Sequence, residues 1–134
     1  MKNKSIEKSL LIPVNSQGQI LIQDRLGFVK PAWGFFGESI EEGETPLEAV
    51  IRETKEELDI DITKNDIIPM GTSSAFWKKG EKQIRHLFLY KTDQKKFTDY
   101  EANGAHWLSF DEARKKLEIQ DRPDEIVDKI KKLI

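Results

Sequence analysis

The chain contains no cysteine. That excludes disulfide cross-links, thiolate metal sites and thiol nucleophiles, and it fits a cytoplasmic protein. Long apolar runs are missing as well, with nothing near the ~20 residues that a membrane-spanning helix needs. Met1-Lys2-Asn3-Lys4 opens with positive charge, but no apolar segment or small-residue cleavage site follows, so no secretory leader is expected. Net charge is only −2, which gives the chain no general bias toward nucleic acid polymers or membranes. Internal repeats, linkers and low-complexity tracts are also absent. What remains is 134 residues, 37% apolar and 34% charged. One domain spanning residues 1–134 around a single core is expected.

Acidic residues are not evenly spread. From Gly37 to Asp61 there are ten acids and two bases, and the rest of the chain carries 20 bases against 14 acids. An acidic patch on a mildly basic body suits a metal ion together with a phosphate-bearing ligand. Within this stretch Thr45, Pro46 and Glu48 form an N-cap, a first-turn proline and a capping box. Leu47, Val50, Ile51, Thr54 and Leu58 then recur at helical spacing and define a core-facing stripe. Glu53, Glu56 and Glu57 fall together on another flank, where like charges at i, i+3 and i+4 repel by a few tenths of a kcal/mol per pair, roughly. Arg52 can pair with Glu56, and no lysine lies four residues after any of the three. Taken alone, this flank is open between a solvated face and a site for a hard cation such as Mg²⁺ or Mn²⁺.

The loop before the helix adds spacing. Gly37, Glu44, Arg52, Glu53, Glu56 and Glu57 follow the order G-x6-E-x7-R-E-x2-E-E. This resembles the Nudix box of the MutT-like hydrolases, G-x5-E-x7-R-E-U-x-E-E-x-G-U, where U is a bulky aliphatic. Glu44, Arg52, Glu53, Glu56, Glu57 and Ile60 match it position for position. Three positions depart from it. Glu38 stands at the first box glycine with Gly37 one residue earlier, Thr54 replaces an aliphatic, and Asp59 replaces the second glycine. Asp tolerates the left-handed conformation that ends a helix. Glu38 adds a charge beside the expected metal site, as an extra ligand or as a perturbation.

Around the box, Ser5–Val14 and Gln19–Asp24 read as strands joined by an Asn15-Ser16-Gln17-Gly18 turn. Residues 26–36 read as a loop rich in Gly, Pro and aromatics, in which Trp33 and Phe35 are either core or base-pocket residues. Ile67–Trp77, with Pro69 and Gly71 inside it, reads as an edge or bulged strand. Lys82–Thr92 is apolar on both faces and reads as a central strand. On it, His86 reads as a satisfied core histidine rather than a catalytic one, and Arg85 falls on the same side as Leu87 and Leu89. A polar loop over 93–105 precedes a short strand at 106–109. A capping box at Ser109–Glu112 opens one helix, and Pro123 opens another whose apolar face comprises Ile126, Val127, Ile130, Leu133 and Ile134. Together these elements form an α/β chain with a mixed sheet between helices. That agrees with the α/β/α sandwich implied by the resemblance.

The resemblance also implies roles. Glu53, Glu56 and Glu57, with the Gly37 carbonyl, would hold Mg²⁺ (Mn²⁺ as a substitute). Arg52 would orient glutamates and Glu44 would support the loop. Arg25, just past the second strand, would face substrate phosphates, against the plainer reading of a solvated strand end. Phe76 and Trp77 fall where some subgroups bind substrate. Glu101, with Asp99 or a box glutamate as rival, would be an extra ligand or general base. The implied reaction is hydrolysis of a nucleoside diphosphate linked to X, first of all a nucleoside triphosphate, ordinary or oxidised, giving a monophosphate and pyrophosphate. ADP-ribose, dinucleoside polyphosphates and nucleotide sugars are alternatives. So are a nucleotide-binding sensor of the same fold and a structural domain with a merely solvated acidic helix. The expected partner is a small nucleotide, without nucleic acid polymer or membrane, and the chain is expected to be a monomer or homodimer.

Overall fold

The computed structural model describes residues 5–25, 33–76, 81–97, 104–117 and 121–134. In chain order these form β1 (Ser5–Val14), β2 (Gln19–Asp24), β3 (Trp33–Gly34), β4 (Phe36–Ser39), α1 (Pro46–Leu58), β5 (Ile67–Phe76), β6 (Lys82–Lys91), β7 (Gly104–Ser109), α2 (Phe110–Lys116) and α3 (Pro123–Lys131).

All seven strands join one mixed sheet organised around β1. Along one edge β1 runs parallel to β6 for its whole length, from Ser5 opposite Lys82 to Val14 opposite Lys91. On the other edge its middle, Lys8 to Leu11, pairs antiparallel with β4, placing Leu10 opposite Gly37, and its end pairs with β2 through Val14 and Ile20. The hairpin turn closes as its residues predict, with Gly18 N–H donating to the Asn15 carbonyl at 3.2 Å. From there β2 diverges from β1 to pair with β7 and the short β3. Beyond β6 lies β5, an edge strand whose register slips between Pro69 and Thr72. This is the bulge that Pro69 and Gly71 foretell.

Side chains alternate between two cores. Leu10, Ile12, Leu87 and Leu89 pack with Ile126 and Ile130 of α3 on one face. Leu11, Leu21, Phe36 and Phe88 pack with Val50 and Leu58 of α1 on the other. Each fully buried aliphatic contributes about 1.5–3 kcal/mol, so both helical layers are firmly docked. Helix α1 is also pinned at its start, because the Ser9 hydroxyl donates to the Pro46 carbonyl at 2.7 Å.

Three expectations are corrected. The segment before the box is not all loop, since Trp33–Gly34 and Phe36–Ser39 are strands borrowed by β2 and β1. Leu133 and Ile134 do not extend the apolar face of α3; the helix ends at Lys131 and both are exposed. His86 is not a core residue. It is half-buried on the α1 side of β6, with Nε2 2.9 Å from Glu7 Oε1.

Candidate active site

The box is assembled by two elements that meet on β1. β4 carries Gly37 and Glu38 alongside Ser9 and Leu10, and α1 crosses the same face of the sheet. Gly37 has to be glycine. Its φ is +149°, and a Cβ there would lie 2.1 Å from the Ser9 carbonyl oxygen. At the other end of the box Asp59 caps α1 in the left-handed conformation, φ 55° and ψ 40°, with its side chain 2.8 Å from Lys55 Nζ. The loss of the second box glycine therefore costs no helix end. Thr54 is equally well accommodated, since its hydroxyl donates to the Val50 carbonyl at 2.6 Å and lets it be buried in place of an aliphatic.

The three box glutamates do not share one environment. Glu53 is buried, 2% exposed. Its Oε2 accepts the Glu38 backbone N–H, while Oε1 is buried without a hydrogen-bond partner. Burial pushes its carboxyl up to about 9 against an ordinary 4.5, with the charge of Glu57 adding to the effect and the Glu38 N–H opposing it. Glu57 is also buried, at 4%. Glu56 is turned to the surface, where Arg52 Nη1 holds it at 3.1 Å.

Arg52 is the hub of the rim. Its Nε and Nη2 grip Glu44 at 2.8 and 3.0 Å, and Nη2 reaches the Ser39 carbonyl at 3.4 Å. Glu44 accepts the Glu41 N–H as well, at 3.0 Å, which ties the loop to the helix. The fork geometry is what a guanidinium offers a carboxylate. It lowers the Glu44 carboxyl and raises Arg52 further above its already high value. Glu38, the departure at the first box glycine, holds Glu53 through its backbone and leaves its own side chain exposed.

An all-oxygen donor set, with a buried carboxylate oxygen that makes no hydrogen bond and only a 3.5 Å ion pair to Arg52 Nη2, fits a hard cation of the Mg²⁺ or Mn²⁺ kind. Glu53 and Glu57 could hold one, with the Gly37 carbonyl nearby on β4. Among the described residues, however, no three His, Asp or Glu side chains are already gathered around one point. Glu56 would have to leave Arg52 to join.

Arg25 is neither a solvated strand end nor fully exposed. Its guanidinium lies against Gly34, and its Nε is buried without a hydrogen-bond partner. Burial lowers its proton affinity, offset first by the charge of Asp121 and then by that of Glu57. Phe76 closes β5 opposite Lys82, and its side chain lies outside the described residues, as do Trp77, Glu101 and the rival Asp99. Of the two loop aromatics, Phe35 is core, whereas Trp33 is half-buried with the Lys116 ammonium 4.6 Å from its ring centre. A cavity of about 570 Å³ sits at the far end of β1, around Asn15, Ser16, Asp93 and Ile134, and no box residue lines it.

Sequence reading missed a buried ion pair. Arg85 on β6, 2% exposed, bonds Asp121 Oδ1 at 3.0 Å, the Asp121 carbonyl at 2.7 Å and Ser73 Oγ at 3.1 Å. The available signal was an arginine on the same side of an apolar strand as Leu87 and Leu89.

A curated RNA pyrophosphohydrolase of Psychrobacter cryohalolentis is 32% identical over 76 residues, spanning 57% of this chain and 43% of that protein. The chain thus aligns with less than half the length of that relative. The crystal structure of a MutT protein from Methanosarcina mazei superposes with a TM-score of 0.79 at 21% identity, covering 98% of this chain and 99% of that one. The dihydroneopterin triphosphate pyrophosphohydrolase of E. coli superposes with a TM-score of 0.73 at 18% identity, covering 92% and 94%. At such identities the two structures establish the α/β fold alone. The NUDIX domain model, in contrast, matches residues 8–130, nearly the whole chain, box included. The chain is a member of the NUDIX family of MutT-like hydrolases.

Proposed function

We propose that this protein is a Mg²⁺-dependent pyrophosphohydrolase that cleaves a nucleoside diphosphate linked to X. The first candidate is a nucleoside triphosphate, ordinary or oxidised, split by water into a monophosphate and pyrophosphate. The observation that carries the reading is the buried pair Glu53 and Glu57, held between β4 and α1, with Glu53 Oε1 making no hydrogen bond and lying 3.5 Å from Arg52 Nη2. Burying two carboxylates side by side costs several kcal/mol, roughly, unless a cation or proton compensates.

Glu53 and Glu57, with Glu56 and the Gly37 carbonyl, would hold the cation. When bound, it neutralises phosphoryl charge and lowers the pKa of the attacking water. The chain's own residues do the rest. The Glu38 N–H fixes one oxygen of Glu53 and so aims the other. Arg52 and Glu44 lock the loop onto the helix. Arg25 offers a partly buried guanidinium to the substrate's phosphates. Glu101, Asp99 or a box glutamate takes the proton of the attacking water.

The departures Glu38 and Asp59 do not favour a sensor without turnover, since one acts through its backbone and the other serves as a helix cap. A second substrate reading is the 5′-triphosphate end of RNA, on the strength of the matched relative's name. The test is release of phosphate and pyrophosphate from ordinary and oxidised triphosphates, ADP-ribose, Ap4A, nucleotide sugars and triphosphorylated RNA, with and without Mg²⁺. Metal-dependent turnover that Glu57→Gln abolishes, with an unchanged fold, is expected. The ranking of kcat/KM names the substrate. Normal turnover in Glu57→Gln would sink the assignment, and silence across the panel with nucleotide binding intact would favour the sensor.

A further inference from the structure

A side chain that follows the last residue of a strand ordinarily trails into solvent. Arg25 instead folds across to the neighbouring strand β3, where its guanidinium fills the space a side chain at position 34 would take. A Cβ on Gly34 would lie 1.8 Å from Arg25 Nη2 and 2.5 Å from Cζ. The backbone does not demand glycine there, since Gly34 is not among the positive-φ residues. Its role is therefore to leave room, which is what an interior strand glycine commonly marks.

Arg25 Nε is also buried without a hydrogen-bond partner, so packing against β3, and not a hydrogen bond at that nitrogen, sets the group in place.

We propose that Gly34 is a positioning residue, leaving a cradle in which the Arg25 guanidinium is fixed so that it takes a phosphate group of the substrate. The inference rests on the phosphate role given to Arg25 above and adds what sets it in place. Gly34 is the sharper handle, because only the end of a flexible side chain stands in the way of an alanine.

The experiment is calorimetric binding of inorganic pyrophosphate in Mg²⁺ to the wild type, Gly34→Ala, Arg25→Gln and the double variant, with a thermal melt of each. Gly34→Ala should melt at or slightly above the wild-type temperature and bind pyrophosphate about tenfold more weakly, the worth of one charge-assisted hydrogen bond. Adding Gly34→Ala to Arg25→Gln should weaken binding no further, because both act through one guanidinium. Unchanged affinity in Gly34→Ala, or additive losses in the double variant, overturns the cradle. A wild type without affinity for pyrophosphate overturns the phosphate role of Arg25 as well. A wild type that binds pyrophosphate but hydrolyses nothing in the nucleotide panel removes the hydrolase reading alone.

Discussion

Replacing Glu53 by glutamine should make the metal-free protein more stable while destroying its response to metal. In the folded chain Glu53 keeps its proton up to about pH 9, whereas the unfolded chain releases it near the ordinary 4.5. The folded state therefore binds the proton more tightly. The contribution of Glu53 to stability is fully present below pH 4.5 and is lost as the pH rises toward 9. From 4.5 to 7, at about 1.4 kcal/mol per pH unit, the loss amounts to about 3 kcal/mol. Glutamine has no proton to release. Its carbonyl can still accept the Glu38 N–H, and its amide puts a donor where the protonated acid also puts one, so the unsatisfied position weighs on both forms alike.

Urea unfolding in EDTA across pH 5–9 is the assay. The two proteins should be close at pH 5, and Glu53→Gln should lead by about 3 kcal/mol at pH 7, with a gap that widens further in alkali. In Mg²⁺ at 1,000 times its Kd the order should reverse, because such a ligand adds about 4.1 kcal/mol to the protein that binds it. Parallel pH profiles in EDTA would refute the reasoning, since they would mean that Glu53 is ionised and already compensated in the metal-free fold.

Two further substitutions separate the structural parts of the site. Arg85→Met alone strands a buried Asp121 carboxylate and should cost about 3–5 kcal/mol in urea unfolding; adding Asp121→Asn should recover a large part of it, and an undiminished loss would show that Arg85 acts through packing. Gly37→Ala sets a Cβ against the Ser9 carbonyl at positive φ and should cost about 2 kcal/mol or more, whereas Gly34→Ala should cost nothing, so equal midpoints for the two would contradict the geometry of β4.

What the sequence made legible is local. Thr45 with Glu48 and Ser109 with Glu112 each place an acceptor three residues from a donor, and both capping boxes form. The alternation in 82–92 identified a strand covered on both faces, and β6 lies between β1 and β5. Illegible features depend on partners far along the chain. β3 and β4 are two and four residues long and exist only because β2 and β1 supply their hydrogen bonds. Arg85 and Asp121 are 36 residues apart, and nothing near either one announces the other. Helical spacing placed Glu53, Glu56 and Glu57 on one flank. It could not say that β4 would cover part of that flank and leave Glu56 outside.

That partial covering accounts for how three crowded glutamates are tolerated without a metal. A proton neutralises Glu53 in the buried position. Arg52 neutralises Glu56 at the surface. Glu57, buried, lies within the field of Arg25. The single charge of Arg52 is shared among Glu56, Glu41, Glu44 and Glu53. In the reading proposed above, a cation taken up by all three would displace the proton of Glu53 and the contact of Glu56 with Arg52, while Arg52 would keep its two-point grip on Glu44 and hold the loop in place. The departures from the box at positions 38, 54 and 59 leave this scheme intact, because each is satisfied by the backbone or a neighbouring side chain without touching the three carboxylates' charge balance beyond the modest field of Glu38 on Glu53.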